Sequence, residues 1–209
     1  PISCRSQKLR LKDKKMKLPE LKIGDLTAKV PIIQGGMGIG ISLNRLAGTV
    51  AAQGGIGILS TAQIGYQEEK FERASVRTNL QTIKKQLDKA RSFAKGGILG
   101  FNVMVASFRY DDVVRATVEA GADVIISGAG LPMNLPELVG NAKTKIAPIV
   151  SSVKAAKIIL RNWAKKYNRT ADFVVIEGPK AGGHLGFKAS EIDQAIIGMD
   201  DEIVKIIAH

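Results

Sequence analysis

Residues 172–187 read DFVVIEGPKAGGHLGF, and the way this stretch is parsed decides the architecture. Its first six residues, DFVVIE, have the length and β-branched content of a strand. The rest, EGPKAGGHLGF, is a glycine-rich loop that holds the chain's one internal histidine, His184, the other being the last residue, His209. A strand that runs into a polar, glycine-rich loop is the unit of α/β folds whose ligand sites lie at the C-terminal ends of parallel strands.

The same unit recurs upstream. PII (31–33), IGIL (56–59), ILGFNVMV (98–105), DVIIS (123–127) and IAPIV (146–150) are apolar throughout rather than alternating, as strands covered on both faces are. Helical periodicity separates them, most clearly over 78–94, where Leu80, Ile83, Leu87 and Ala90 lie opposite Lys84, Lys85, Lys89 and Arg91. Residues 42–52, 109–120, 152–166 and 190–208 predict further helices. A doubly wound sheet and a (β/α)8 barrel both accommodate such alternation, but a doubly wound sheet builds its site mainly at one switch point, whereas a barrel uses every strand end. Here QGGMGIG, STA, Asn102, SGAG, SS and EGPKAGGH decorate all six ends. The fold class predicted is therefore α/β, a TIM (β/α)8 barrel of which about six units are present. Two units are missing, and the expectation is a truncated or incomplete version of a longer protein. Residues 1–22 read as a basic leader that covers the barrel bottom, and 23–209 as the N-terminal part of the barrel domain.

Composition narrows the functional classes. The chain has 209 residues, 45% of them hydrophobic, and no apolar run reaches the roughly 18 residues that span a bilayer. The single Cys4 gives neither a disulfide framework nor a cysteine-based metal site, which fits a reducing cytoplasm. The formal charge of +12 invites a nucleic-acid reading. Half of that excess sits in residues 1–22, and the aromatic content of 5% is too low for a base-stacking platform. Neither nucleic acid nor membrane is expected as a partner.

Three loops carry candidate chemistry. IIQGGMGIG (32–40) fails the dinucleotide fingerprint, because Ile41 stands where the third glycine belongs. Gly35 and Gly36 would let backbone approach a ligand and Met37 would offer an adaptable apolar contact, although a tight strand-to-helix turn explains the same residues. Asn102 is an amide inside an apolar strand, which either bonds a neighbouring loop or holds a polar ligand at the barrel mouth. Ser127 and Ser151 at two other strand ends are weaker signals of the same kind. After Glu177, the residues Ala181, Gly182 and Gly183 form a nest of backbone N–H groups beside His184. A lone histidine is more often structural, but one on such a loop can act as a general base near neutral pH. No second histidine or spaced carboxylates accompany it, so no metal is expected. One base beside a ligand cradle suggests that a cofactor carries the harder chemistry.

With these residues in view, VPIIQGGMGIGIS, AAQGGIGIL, GFNVMV, SGAGLP and above all EGPKAGGHLG resemble the nitronate monooxygenase family, also known as 2-nitropropane dioxygenases, and the related FMN-dependent enoyl-acyl-carrier-protein reductases. The resemblance runs from about residue 19 to 190. It implies a TIM barrel with FMN at the C-terminal mouth, Gly35, Gly36 and Met37 against the flavin, Asn102 hydrogen-bonded to it, and Gly182 and Gly183 contacting it through backbone. Glu177 occupies a cofactor-binding position where many members have glutamine, and His184 matches the active-site histidine. The implied reaction is oxidation of a nitronate or nitroalkane by O2 to a carbonyl compound and nitrite. The alternative is a reductase that takes electrons from NAD(P)H and passes them to an enoyl thioester on an acyl carrier protein. A third reading, a non-catalytic barrel fragment, predicts an uncovered sheet edge and association into oligomers.

Overall fold

The computed structural model describes residues 18–208; Cys4, most of the basic leader and His209 lie outside the described residues. Five strands, β3 (Ile56–Ser60), β4 (Ile98–Met104), β5 (Val124–Gly128), β6 (Lys145–Val150) and β7 (Val175–Ile176), form one parallel sheet in the order in which the chain makes them. That order has no switch point, which removes the doubly wound alternative and makes the sheet a half-barrel. Before it, β1 (Leu21–Ile23) and β2 (Leu26–Ala28) pair as a small antiparallel hairpin. β1 thus straddles the boundary between the leader and the barrel domain expected at residues 22 and 23. The expected first strand, 31–33, contributes a single bridge from Ile33 to Ile56. Pro31 has no N–H to give, and Gly35 and Gly36 follow at once, so only the Ile56 N–H to Ile32 O and Gln34 N–H to Ile56 O bonds form.

Helices return the chain between strands: α1 (Asn44–Ala52), α2 (Ser75–Ala94), α3 (Tyr110–Glu119), the five-residue α4 (Leu135–Val139), α5 (Val153–Tyr167) and α6 (Ile192–Ile207). All but α4 were expected from periodicity; α4 is short and has Pro136 in its first turn, where proline is tolerated but masks the pattern. The helices pack on one face of the sheet, where Leu59, Leu99, Phe101, Ile125 and Ile146 meet Ala47, Leu87, Val114, Ile159 and Trp163. On the opposite face Ile56, Ile58, Val124, Ile126 and Ala147 meet Ile23 and Ala28 of the hairpin. The hairpin therefore fills the bottom of the half-barrel interior, and both faces are apolar because both are covered. Packing is closest at Gly57, where an added Cβ would lie 1.9 Å from the Ala47 carbonyl of α1.

Register is fixed at the bottom by two aspartates that precede strands. Asp123 exchanges bonds with Leu99, its N–H donating to the Leu99 carbonyl (2.9 Å) and its carboxylate accepting the Leu99 N–H (2.8 Å). Asp172 does the same to Ile146, at 3.0 and 2.8 Å. Each carboxylate is also paired with an arginine, Arg91 for Asp123 and Arg169 for Asp172. Beyond the second latch, the expected strand 172–177 shrinks to Val175–Ile176.

Ser127 belongs to this framework and not to the site. It is fully buried on the helix side, where its hydroxyl donates to the Val103 carbonyl (3.0 Å) and bonds the Tyr110 hydroxyl (2.9 Å). Its neighbour Tyr110 has its phenol pushed up to about 12, mainly by burial, with the Ser127 bond acting the other way.

Two outcomes follow. Asp123→Ala strands the N–H of Leu99, a residue with no solvent exposure, and is expected to cost about 1–3 kcal/mol in urea unfolding followed by the fluorescence of Trp163; Asp123→Asn, which keeps an acceptor, should cost less. Tyr110 ionises near 10 in the unfolded chain and near 12 in the folded one, so the folded state holds the proton longer and stability falls as pH rises from 10 toward 12. The stability advantage of the parent over Tyr110→Phe should therefore shrink across that window and stay constant below pH 9.

Candidate active site

The pairing register decides which strand residues face inward. Ile56 pairs with Ile98, Ile58 with Gly100 and Ser60 with Asn102; Asn102 pairs with Ile126, Met104 with Gly128, and Ile149 with Val175. Because side chains alternate, the parity that sends Ile56, Ile58 and Val124 to the interior also sends Ser60, Asn102, Met104, Gly128, Ile149 and Glu177 there, one layer higher. All six line one cleft of about 1090 Å³ at the C-terminal ends of the strands. The hairpin stops below this layer, which leaves the mouth open.

Loops complete the walls. Gly36, Met37, Gly38 and Ile39 come from the first loop, Thr61, Ala62 and Gln63 follow β3, Ser107, Phe108 and Arg109 follow β4, and Gly182, Gly183 and His184 follow β7. The N-terminal turns of α2 add Ser75, Val76, Asn79 and Leu80. Seven of the eight residues that the family resemblance implies as site residues thus meet in one cleft: Gly36, Met37, Asn102, Glu177, Gly182, Gly183 and His184. Gly35 does not reach it. Its carbonyl accepts from the Ser42 hydroxyl (3.0 Å) and from the Gln34 amide, which turns the residue toward the buried Ser42. Ser42 in turn accepts the Met37 N–H (2.9 Å), so this serine sets the shape of the loop.

Asn102 is held by its backbone, its carbonyl accepting from the N–H (3.2 Å) and the hydroxyl (3.0 Å) of Thr61, while its carboxamide lines the cleft. Gly36 rests on that side chain so closely that an added Cβ would sit 2.3 Å from the Asn102 Cβ. By contrast, Gly182 and Gly183 would meet no atom within 4 Å, and Gly183 has φ +95°, a conformation that favours glycine. Their backbone lies open to the cleft. Glu177 turns its carboxylate to the Gly186 N–H (2.8 Å), and the Ser151 hydroxyl reaches the Gly186 carbonyl (3.2 Å). Ser151 therefore serves the loop and does not line the cleft. At the outer rim Arg109 is paired with Asp112, and Phe108 is 78% exposed.

Thr61, Gln63, Asn79, Phe108 and Arg109 are cleft residues that sequence reasoning missed. The STA after β3 pointed to Thr61, but nothing in the pattern of α2 distinguished Asn79 from any polar position on a solvated helix face.

Comparison with known proteins agrees with this fold. The nitronate monooxygenase family matches residues 20–208. A curated relative from Rhodococcus jostii, (3aS,4S,5R,7aS)-5-hydroxy-7a-methyl-1-oxo-octahydro-1H-indene-4-carboxyl-CoA dehydrogenase, is 32% identical over 157 residues, 75% of this chain and 38% of the relative. Among solved structures, FabK from Thermotoga maritima is 26% identical with a TM-score of 0.59, over 79% of this chain and 47% of that one. Nitroalkane oxidase from Streptomyces ansochromogenes is 21% identical with a TM-score of 0.64, over 85% and 55%. The chain thus spans about half the length of the relatives it matches. Over nearly all its described residues, however, the match is continuous, and the chain belongs to the nitronate monooxygenase family.

Proposed function

We propose that this chain is the N-terminal half of an FMN-dependent oxidoreductase barrel that oxidises nitronates or nitroalkanes, with His184 as its catalytic base. The observation that carries the reading is the convergence of Gly36, Met37, Asn102, Glu177, Gly182, Gly183 and His184 from three separate stretches of chain on one cleft. The residues fit a flavin. Gly182 and Gly183 expose backbone with free space beside it, Met37 and Ile149 give apolar contact to a flat ring, and Asn102 offers both a donor and an acceptor. Met37, Asn102 and the backbone at Gly36, Gly182 and Gly183 would hold it. Bound FMN would supply two-electron acceptance, with O2 as the final acceptor.

The work left to the chain is positioning and proton transfer. His184, on the exposed loop at the cleft, holds the nitro group or takes the proton from the adjacent carbon as electrons leave it. Water supplies the carbonyl oxygen as the C–N bond breaks, and O2 leaves as hydrogen peroxide, so a carbonyl compound and nitrite are the products. The Rhodococcus jostii relative, named as a dehydrogenase of a coenzyme A ester, favours a second reading, oxidoreduction of an acyl thioester; run as a reduction, of an enoyl thioester on an acyl carrier protein, it would take its electrons from NAD(P)H. Val76, Leu80 and Val113 along one wall would suit an acyl chain in that case.

The test uses the longest natural form of the protein. A visible absorption spectrum should show flavin, and chromatography of the released cofactor should identify FMN; no flavin after incubation with excess FMN sinks the reading. Anaerobic bleaching by propyl-3-nitronate and not by NADPH is the outcome expected, and the reverse selects the thioester enzyme. His184→Ala should keep its flavin and lose about 10²–10⁴-fold in turnover of neutral nitroalkanes; unchanged turnover removes the role given to His184.

A further inference from the structure

The loop that carries His184 is fastened at one point beyond the histidine. Gly186 is gripped from two sides: its N–H donates to Glu177 Oε2 (2.8 Å), and its carbonyl accepts from Ser151 Oγ (3.2 Å). The two side chains are rooted on adjacent strand ends. Ser151 follows β6 directly, and Glu177 follows β7 with its own N–H bonded to the Val150 carbonyl (2.8 Å). Residues 178–185 therefore form a ring closed by two side chains. The grip requires glycine, because an added Cβ at Gly186 would lie 2.3 Å from Ser151 Oγ, 2.9 Å from Ser151 Cβ and 3.2 Å from Glu177 Oε2. Within the ring, support is thin. Pro179 is buried and Ala181 N–H closes a turn on the Gly178 carbonyl (3.0 Å), but residues 180–184 are exposed and Gly182 and Gly183 have open space beside them.

We infer that Glu177 and Ser151 act as a clasp on Gly186, and that this clasp holds His184 over the cleft. Glu177 is then a positioning residue that serves the site through the loop. A carboxylate is well chosen for that purpose, since a charged acceptor binds a backbone N–H more strongly than a neutral one. The carboxamide of a glutamine presents the same acceptor atom without the charge. The inference rests on the role proposed for His184, but the clasp itself is testable without cofactor or turnover.

Lys180 lies exposed inside the ring, so trypsin cleavage after it, quantified by mass spectrometry on the full chain, reports how often the ring opens. Glu177→Ala and Gly186→Ala should speed that cleavage about tenfold, the worth of one charge-assisted hydrogen bond. Ser151→Ala should give a smaller rise, and Glu177→Gln should stay within about threefold of the parent, which is the partial rescue that a neutral bond to this oxygen predicts. Emission from the buried Trp163 checks that each variant is folded. Parent-like cleavage in Glu177→Ala and Gly186→Ala overturns the clasp; so does a glutamine variant that opens as fast as the alanine one. The His184 imidazole resonance should move in Glu177→Ala and return in Glu177→Gln, and a resonance that stays put in the alanine variant separates Glu177 from the histidine. In the flavin-loaded long form, flavin lost from Glu177→Ala with cleavage unchanged would make Glu177 a direct cofactor ligand and also overturn the inference. A parent protein without flavin instead refutes the proposed function and leaves the cleavage result standing.

Discussion

Two carboxylates at the bottom of the sheet govern everything above them. Asp123 and Asp172 each take the N–H of the preceding strand's first residues, Leu99 and Ile146, and give their own N–H to the matching carbonyl. A parallel sheet covered on both faces has little else to set its register, because apolar residues stand at inward and outward positions alike and a one-residue slip would still bury them. What such a slip would ruin is the layer above: Asn102 and Glu177 would turn toward the helices, and Ser127 toward the cleft. The arginines that pair with the two aspartates hold the latches in place from outside the barrel.

The half-barrel divides its duties by height. Its lower interior is a packed core closed by Ile23 and Ala28, and its upper interior is small, polar or mobile in shape: Ser60, Asn102, Gly128, Met104. Loops over that upper layer are held by discrete polar ties and not by packing. Ser42 shapes the first loop, Thr61 ties the second to the Asn102 carbonyl, and Glu177 with Ser151 ties the last at Gly186. Each tie is a side-chain bond to backbone, which can set a loop's path while leaving its other residues free to meet a ligand.

Much of this was legible in the sequence, for identifiable reasons. The apolar runs and the helical period came through because burial on both faces writes them plainly, and the decorated strand ends gave the barrel and seven residues of the cleft. Inward and outward could not be told apart in strands that are apolar throughout, which is why Ser127 looked like a site residue and is a buried bond to Tyr110. Gly35 stands apart from the cleft because Ser42 holds its carbonyl, and a sequence does not state where a glycine carbonyl points. The hairpin was hidden at the boundary between the charged leader and the barrel domain, where LKIGDLTA carries only three-residue strands and one Gly-Asp turn. Glu177 was singled out in the sequence and lines the cleft, but its bond to a glycine nine positions later has no signature in spacing.

The seating of the hairpin also bears on how the chain is assembled in time. Every parallel pair in the sheet joins a strand to the one made just before it, so these contacts close short loops and cost little chain entropy. Ile23 and Ala28 break that pattern, since they belong to one cluster with Ile56 and Ile58 of β3 and with Val124, Ile126 and Ala147 much further along the chain. That closure begins on Ile56 and Ile58 of β3 and is complete only once β5 and β6 are in place. The hairpin, which precedes the described sheet in the chain, is thus fully covered late, and the floor beneath the cleft is finished only after β5 and β6.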